Sequence, residues 1–280
     1  MFLKFGMAKP QGLAFLRLSS YLYFSDNNLY MHFPVEISFG NNKITLHAIT
    51  EIAAFFIGYR YFSFLRKKQG DAIKSENRLW ILIGAIFGAL VGSRLVGALE
   101  NPQALLTAEN IWLYIYSNKT VLGGFLGGLF GVELIKKIIR EKRNSGDLFT
   151  YPIILALIIG RIGCFSMGVY EETYGKVTTF FTGMNLGDGL LRHPISLYEM
   201  VFLVLLWIGL IQVENKYTLA EGARFKVFMI AYCVYRFLQE FIKPSYPVLA
   251  GLSTIQITAI IGLLYYFAIS FANKNLYLVK

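Results

Sequence analysis

Long apolar stretches alternate with short polar links along most of the chain. The stretches cover about 45–65, 79–99, 120–136, 149–169, 196–213, 224–243 and 251–272. Each approaches the roughly 20 apolar residues that a helix needs to cross the hydrocarbon of a bilayer. The pattern predicts an all-α membrane protein: a seven-transmembrane-helix bundle over residues 44–273.

The remaining regions are short. Residues 1–43 show no sustained apolar run followed by a small-residue cleavage site, so no cleaved signal peptide is predicted there. We expect this region to be an outer-face segment lying on the membrane. Residues 170–195 are rich in glycine and predict a partly ordered outer loop, and residues 274–280 predict a short cytoplasmic tail.

Composition and charge agree with this membrane assignment. The chain is 55% hydrophobic and 16% charged, with a formal net charge of +10. Most Lys and Arg residues fall in the first, third and fifth links, so the positive-inside rule places the N-terminus outside and the C-terminus in the cytoplasm. No nucleic-acid recognition motif accompanies the positive charge, which argues against a nucleic-acid partner.

The two cysteines and the known metal motifs give no sign of a metal or a cofactor. Cys164 and Cys233 lie in apolar stretches without CxxC spacing, and the chain has no HExxH or Walker motif. We therefore expect neither a metal site nor a cofactor.

Charged residues inside apolar stretches are the strongest functional signal, because such residues are costly unless they face a cavity or a partner. Depth counted at about 1.5 Å per residue places most of them in the outer half of the bilayer. Only Arg60 and Glu133 fall in the inner half, near helix ends. Structural ion pairs, such as Arg236 with Glu240, are the alternative explanation. The outer set comprises His47, Glu51, Arg94, Arg161, Tyr198, Glu199, Arg236, Glu240 and Gln256.

Glycines recur at four-residue spacing in the second and third stretches, which is typical of closely packed helices. Gly123 and Gly124 differ because they open the third stretch at its outer end. Backbone amides and the positive helix terminus favour an anion there, and Lys119 adds charge.

Five strings in order give the chain a family resemblance. It is similar to the bacterial prolipoprotein diacylglyceryl transferase family from about residue 44 to 256. The strings are NKTVLGGFLGG (118–128), GRIGCFSMG (160–168), ETYGKVT (172–178), RHPISLYE (192–199) and YCVYRFLQEFIK (232–243).

The resemblance implies a multi-pass enzyme of the bacterial cytoplasmic (inner) membrane. Such an enzyme moves diacylglycerol from phosphatidylglycerol to the lipobox cysteine thiol of a preprolipoprotein and releases glycerol phosphate. Its two essential arginines match Arg161 and Arg236, with Tyr232 preceding the second. A further motif matches His193, Tyr198 and Glu199.

The chain departs from the family pattern where the thiol and its base are expected. The aromatic or histidine before the Gly-Gly pair is Leu122, two asparagines are Cys164 and Met167, and the following glutamate is displaced to Glu171 or Glu172. A replacement base is available on the first helix. His47 and Glu51 are four residues apart and share a helical face, and a carboxylate raises the basicity of an imidazole.

These observations define a candidate site and three functional hypotheses. The leading hypothesis is thiol transfer, in which a base takes the thiol proton and the arginines stabilise the departing phosphate. The others are transfer to a different acceptor and a non-catalytic role in phospholipid binding or transport. Restoring family residues at Leu122 and Cys164 is expected to discriminate between them. The catalytic candidates are Arg161, Arg236, His47 and Glu51; the substrate-binding candidates are Arg94, Lys119, Gly123, Gly124, Arg192, His193, Tyr198, Glu199, Tyr232, Glu240 and Gln256.

Overall fold

The computed structural model describes residues 22–25, 28–39 and 42–272. The predicted tail at 274–280 lies outside these residues, as does much of the predicted segment 1–43. The described part is mainly helical, and each predicted apolar stretch contains one long helix. The long helices are α1 (Leu46–Gln69), α2 (Ser75–Ala98), α5 (Val121–Ile138), α6 (Asp147–Met167), α7 (Ile195–Lys216), α8 (Ala223–Gln239) and α9 (Thr254–Ala272).

Two short helices, α3 (Pro102–Thr107) and α4 (Ile111–Ser117), connect α2 to α5. Within the described residues, three helices are long and apolar enough to cross a membrane: α2, α7, and α6 together with the turn that follows it. The described part of the chain is therefore that of a mostly helical membrane protein.

Besides the helices, the structure contains small antiparallel hairpins, which the sequence-based all-α prediction did not include. One of them leads directly into α1, where the Thr45 side chain accepts from the amide of Ala48 and caps the helix. Another occupies residues 247–253, so α9 begins later than the hydrophobic pattern indicates. The pairs are β1 (Leu22–Ser25) with β2 (Asn28–Met31), β3 (Glu36–Phe39) with β4 (Asn42–Thr45), β5 (Met184–Asn185) with β6 (Leu191–Arg192), and β7 (Pro247–Leu249) with β8 (Leu252–Ser253).

Successive long helices run in opposite directions, so their ends form two groups. At one end, Asp147 accepts from the amides of Gly222 and Phe225, and Arg78 donates to the carbonyl of Ser145. The first, third and fifth links lie here, so we call it the basic end. At the other end, Lys243 pairs with Glu100 at 3.1 Å. A large cavity opens there, and we call it the cavity end.

Glycines hold α2 and α5 in backbone contact. A Cβ atom at Gly88 would lie 2.2 Å from the carbonyl oxygen of Gly127, and one at Gly92 would lie 2.4 Å from that of Gly123. Side chains cannot occupy such spaces, so the two helices form a tightly closed antiparallel pair. This confirms the packing role predicted for most of the glycine stripe.

Most of the core lies between α6, α7, α8 and α9, and Leu65 of α1 and Leu122 of α5 complete it. Its largest fully buried side chains include Tyr232, Phe228, Leu203 and Ile154. Large apolar side chains also cover the outside of the helices, among them Phe55 and Phe87. An apolar exterior around a well-packed interior is typical of helices that lie in lipid.

Candidate active site

A buried ion cluster joins α6, α7 and α8 near the cavity end. Arg161 Nε lies 2.9 Å from Glu199 Oε1, and Arg236 Nη1 lies 3.4 Å from Glu199 Oε2. The Tyr232 hydroxyl donates to Glu199 Oε1 at 2.8 Å. Glu199 is 1% exposed, and each arginine is 7% exposed. One carboxylate therefore fixes two guanidinium groups that are almost fully removed from solvent.

The cluster has unused capacity for an anion. It carries two positive charges against one negative charge, so the carboxylate does not neutralise it. Arg161 Nε faces Glu199 Oε1, whereas Arg236 Nε has no hydrogen-bond partner among the described residues. Buried charges normally acquire partners. Guanidinium groups suit phosphate in particular, because their planar fork donates two parallel hydrogen bonds.

Both arginines line a cavity of about 870 Å³. Its polar wall at the cavity end includes Lys119, Glu240 and Lys243, whereas apolar side chains such as Phe62 and Phe149 line its deeper part. A cavity with cationic side chains at one end and apolar side chains in its deeper part matches the headgroup and the acyl chains of a phospholipid. Its volume is in the range of ordinary ligand sites.

His47 lies at the first turn of α1 and faces two carboxylates. Its Nδ1 atom is 2.7 Å from Glu171 Oε2, and its Nε2 atom is 3.8 Å from Glu51 Oε2. Lys119 pairs with the other oxygen of Glu51 at 2.8 Å. The structure therefore brings His47, Glu51 and Lys119 together on the cavity wall; the sequence had paired His47 with Glu51 but not with Lys119.

Glu171 reaches His47 because the chain turns back sharply after α6. The helix ends at Gly168, which has a φ of 59°, and a Cβ atom there would lie 2.2 Å from the carbonyl oxygen of Leu186. A short 3₁₀ turn then carries Glu171 towards α1. Cys164 lies one helical turn after Arg161, which donates to its sulfur at 3.4 Å.

Ligand atoms of three side chains also converge in this region. The Nδ1 or Nε2 atom of His47, the sulfur of Cys164 and a carboxylate oxygen of Glu171 lie within 4.8 Å of one another. Nitrogen, sulfur and oxygen donors of this kind are those that zinc accepts.

Several predicted substrate-binding residues lie outside the cavity wall. Arg192 pairs with Asp188 at 2.7 Å and lies over the Tyr174 ring. His193 Nδ1 lies 3.1 Å from the Tyr198 hydroxyl. These three residues, Arg192, His193 and Tyr198, brace the loop between α6 and α7.

The other candidates outside the cavity have packing or capping contacts. Gly123 lies against Gly92 and Val96 of α2, and Gly124 faces Ser93 at ordinary contact distance. The amide of Gln256 donates to Ser253 Oγ while its side-chain oxygen accepts from the Ser253 amide. This reciprocal pair is the capping box of α9. Arg94 lies over the Tyr116 ring and donates to the Tyr116 carbonyl.

Some members of the site were missing from the sequence-based candidates. Glu171, Glu172 and Lys243 all line the cavity, and Glu171 makes the shortest contact to His47 among the described residues. The sequence did contain a signal for Glu171, since it is one of two displaced glutamates after GRIGCFSMG. Leu122 is fully buried in the core, so its side chain points away from the cavity.

Comparison with known proteins shows that the chain matches one protein family. A family model described as prolipoprotein diacylglyceryl transferase matches residues 34–272. A protein of Wolbachia pipientis subsp. Culex pipiens is 33% identical over 230 residues, covering 77% of this chain and 84% of the relative. One from Campylobacter hominis is 28% identical over 234 residues, covering 78% and 82%. One from Campylobacter curvus is 27% identical over 279 residues, covering 89% and 97%. All three are named phosphatidylglycerol–prolipoprotein diacylglyceryl transferase.

Proposed function

Because the chain belongs to the prolipoprotein diacylglyceryl transferase family, we propose that it moves the diacylglyceryl group of phosphatidylglycerol to the lipobox cysteine thiol of a preprolipoprotein. Glycerol phosphate is the leaving group. The observation that carries the assignment to this site is the buried pair of arginines at the wall of a cavity with an apolar depth.

Lipid binding uses both parts of the cavity. The phosphate of the donor lies at Arg161 and Arg236, which Glu199 holds in place, and an acyl chain occupies the apolar part beside Phe62 and Phe149. Removing a phosphodiester from water requires a fixed positive partner. A pair of buried guanidiniums provides one without reorganisation during the reaction.

Chemistry follows from the positions of the charged groups. His47, oriented by Glu171 and close to Glu51, takes the proton of the acceptor thiol. The thiolate attacks the glyceryl carbon, a carbon–sulfur bond forms, and the bond from that carbon to the phosphate oxygen breaks. The electron pair leaves with glycerol phosphate, and Arg161 and Arg236 stabilise its developing charge.

All seven long helices cross the bacterial cytoplasmic membrane in this proposal, with the cavity end outside and the basic end in the cytoplasm. Antiparallel succession of the helices and the Lys- and Arg-rich links at one end support this orientation. The N-terminal segment then lies outside, and the C-terminus lies in the cytoplasm. The lipid donor enters from the outer leaflet.

The test is a transfer assay with purified protein in phosphatidylglycerol vesicles and a lipobox peptide. We expect glycerol phosphate release that requires the peptide cysteine and is lost in Arg161→Ala. Arg60→Ala is the matched control, because Arg60 is an exposed arginine of α1 outside the cavity. Release that is independent of the thiol would indicate another acceptor. If no glycerol phosphate is released but the protein still binds phosphatidylglycerol in a way that depends on Arg161, the protein binds the lipid without transferring it.

A further inference from the structure

We propose that His47, Cys164 and Glu171 form a binding site for one zinc-type divalent ion, and that the bound ion inhibits transfer. The three ligands come from α1, α6 and the turn after α6, so they form no metal motif along the chain. Binding rests on the geometry of these three side chains. Inhibition rests additionally on the proposed role of His47 as the base.

The spacing of the three donors is close to what a tetrahedral ion requires. Zinc bonds of about 2.0–2.3 Å place neighbouring ligand atoms about 3.3–3.6 Å apart. His47 Nδ1 and Glu171 Oε2 are 2.7 Å apart, and all three donors fall within 4.8 Å of one another. Side-chain adjustments of about 1 Å therefore suffice to complete three bonds. The fourth position faces the cavity that the three residues line.

The two closest donors are paired with each other in a way that an ion can replace. His47 Nδ1 and Glu171 Oε2 are buried and lie 2.7 Å apart, the separation of two atoms that share a proton. A divalent ion that displaces this proton finds a nitrogen and an oxygen donor at one place. The opposite nitrogen of His47 lies near Glu51, which Lys119 anchors. A metal-bound histidine normally directs its other nitrogen to a carboxylate, and Glu51 Oε2 lies 3.8 Å from this nitrogen.

Donor types and local charge select the class of ion. A thiolate and an imidazole favour zinc and similar transition metals, whereas magnesium and calcium prefer oxygen donors throughout. The Cys164 thiolate and the Glu171 carboxylate together neutralise a divalent ion. The Arg161 guanidinium, 3.4 Å from the sulfur, places a positive charge beside the ion, so the two anionic ligands are needed to hold it.

Inhibition follows from the nitrogen that the ion occupies. An ion on Nδ1 leaves the proton of the ring on Nε2, the nitrogen that lies 3.8 Å from Glu51 Oε2. The imidazole then has no free lone pair for the proton of the acceptor thiol. The ion also fills the space between α1 and Arg161 that the acceptor must enter.

Cobalt binding provides a readout that does not depend on activity. Full-length protein without a polyhistidine tag is stripped with chelator and titrated with Co²⁺, and the thiolate-to-cobalt absorption band is recorded. We expect one equivalent to produce the band in the wild type and in Cys233→Ser. Cys164→Ser is expected to lack the band, and Glu171→Gln to raise the dissociation constant by at least about tenfold. Cys233 is the matched control, since it is the other cysteine and is buried in the core.

Transfer assays of the same proteins test whether the bound ion inhibits transfer. Zinc should inhibit transfer by the wild type and by Cys233→Ser. The zinc concentration that halves the transfer rate should be at least about tenfold higher for Cys164→Ser. Each rate is compared with the metal-free rate of the same protein. A band that persists in correctly folded Cys164→Ser, or no band in the wild type, overturns the site. Loss of transfer on chelation, restored by zinc, overturns the inhibitory role. Failure of the proposed function would abolish transfer in metal-free protein while leaving the cobalt band intact.

Discussion

At the scale of single residues, Glu199 determines how the two arginines are presented. It contacts Arg161, Arg236 and Tyr232 while being 1% exposed. Sequence reasoning placed Glu199, Arg161 and Arg236 together in the outer half of the bilayer, because charged residues in apolar stretches are costly unless they face a cavity or a partner. It could not show which charges pair directly, because pairing depends on how the helices are rotated about their axes.

Arg161→Lys tests whether the shape of the guanidinium matters as well as its charge. Lysine keeps the positive charge but cannot contact Glu199, Cys164 and a phosphate at once. We expect the transfer rate to fall by about 10²–10³-fold, the usual cost of one donor to a developing anion. Glycerol phosphate release measures the change, with Arg60→Lys as the control. A transfer rate within a few-fold of the wild-type rate would show that the planar guanidinium of Arg161 is not needed.

Leu122→His is expected not to restore a base, although the sequence resemblance suggests it as the natural repair. Leu122 is fully buried in the core, so an imidazole there would lack hydrogen-bond partners and lower stability by about 1–3 kcal/mol. Thermal unfolding in detergent and the transfer assay together test this. Leu122→Met, which conserves volume, should cost less than about 1.5 kcal/mol. Faster transfer in Leu122→His would show that this position does face the acceptor.

At the scale of elements, the hydrophobic pattern located the long helices but not the details of their ends. Apolar runs predicted a helix in each of the seven stretches. The pattern placed the end of α8 near residue 243 and the start of α9 near 251, whereas the helices end at Gln239 and begin at Thr254. Local hydrogen bonds decide such ends, including the pairing of Ser253 with Gln256. Hydrophobicity does not report them.

Gly127→Ala tests the contact between α2 and α5. The added Cβ atom would lie 2.3 Å from the carbonyl oxygen of Gly88, so the helices must separate. We expect a loss of about 1–3 kcal/mol, as is usual for overpacking. Gly124→Ala, on the same helix, is the control, since its nearest contact is 3.6 Å from Ser93. Equal thermal unfolding temperatures for the two variants would contradict the backbone contact.

At the scale of the whole molecule, the two ends carry different charged networks. The basic end holds a cluster of paired acids and bases in its links. Hydrogen bonds from Asn77 and Arg143 lower the pKa of Glu141 from 4.5 to about 2. Burial raises the pKa of Asp71, but hydrogen bonds from Arg78, the Ile73 amide and Arg66 outweigh it and leave the pKa below 3.8.

These carboxyls predict an acid-sensitive basic end. A pKa that is lower in the folded state adds stability above the unfolded value, and this stability is lost as the pH falls towards the folded value. For Glu141 the loss begins below about pH 4.5 and continues towards pH 2. Unfolding temperatures in detergent between about pH 5 and 3 should fall less steeply in Glu141→Gln than in wild type. Glu221→Gln, exposed at the same end, should follow the wild type. If the unfolding temperature falls with pH at the same rate in all three proteins, Glu141 does not contribute to the acid sensitivity of the basic end.

Orientation of the molecule is tested by labelling introduced cysteines in intact cells. Lys142 and Thr179 are both exposed and lie at the basic end and the cavity end, respectively. In a background of Cys164→Ser and Cys233→Ser, a membrane-impermeant thiol reagent should label Thr179→Cys at once. Lys142→Cys should react only after the cells are opened. The reverse pattern would invert the proposed topology.

The single carboxylate shared by two arginines also bears on how the enzyme turns over. Two guanidiniums and Glu199 together carry one excess positive charge, which the phosphodiester of a lipid donor bound at the proposed site would cancel. Cleavage replaces that diester by a phosphate monoester, whose charge at neutral pH is about −1.5 to −2. Under the proposed mechanism the same pocket then holds excess negative charge, and Glu199 repels the product. Departure of glycerol phosphate would thus be favoured by the reaction itself, which leaves the pocket ready for the next lipid.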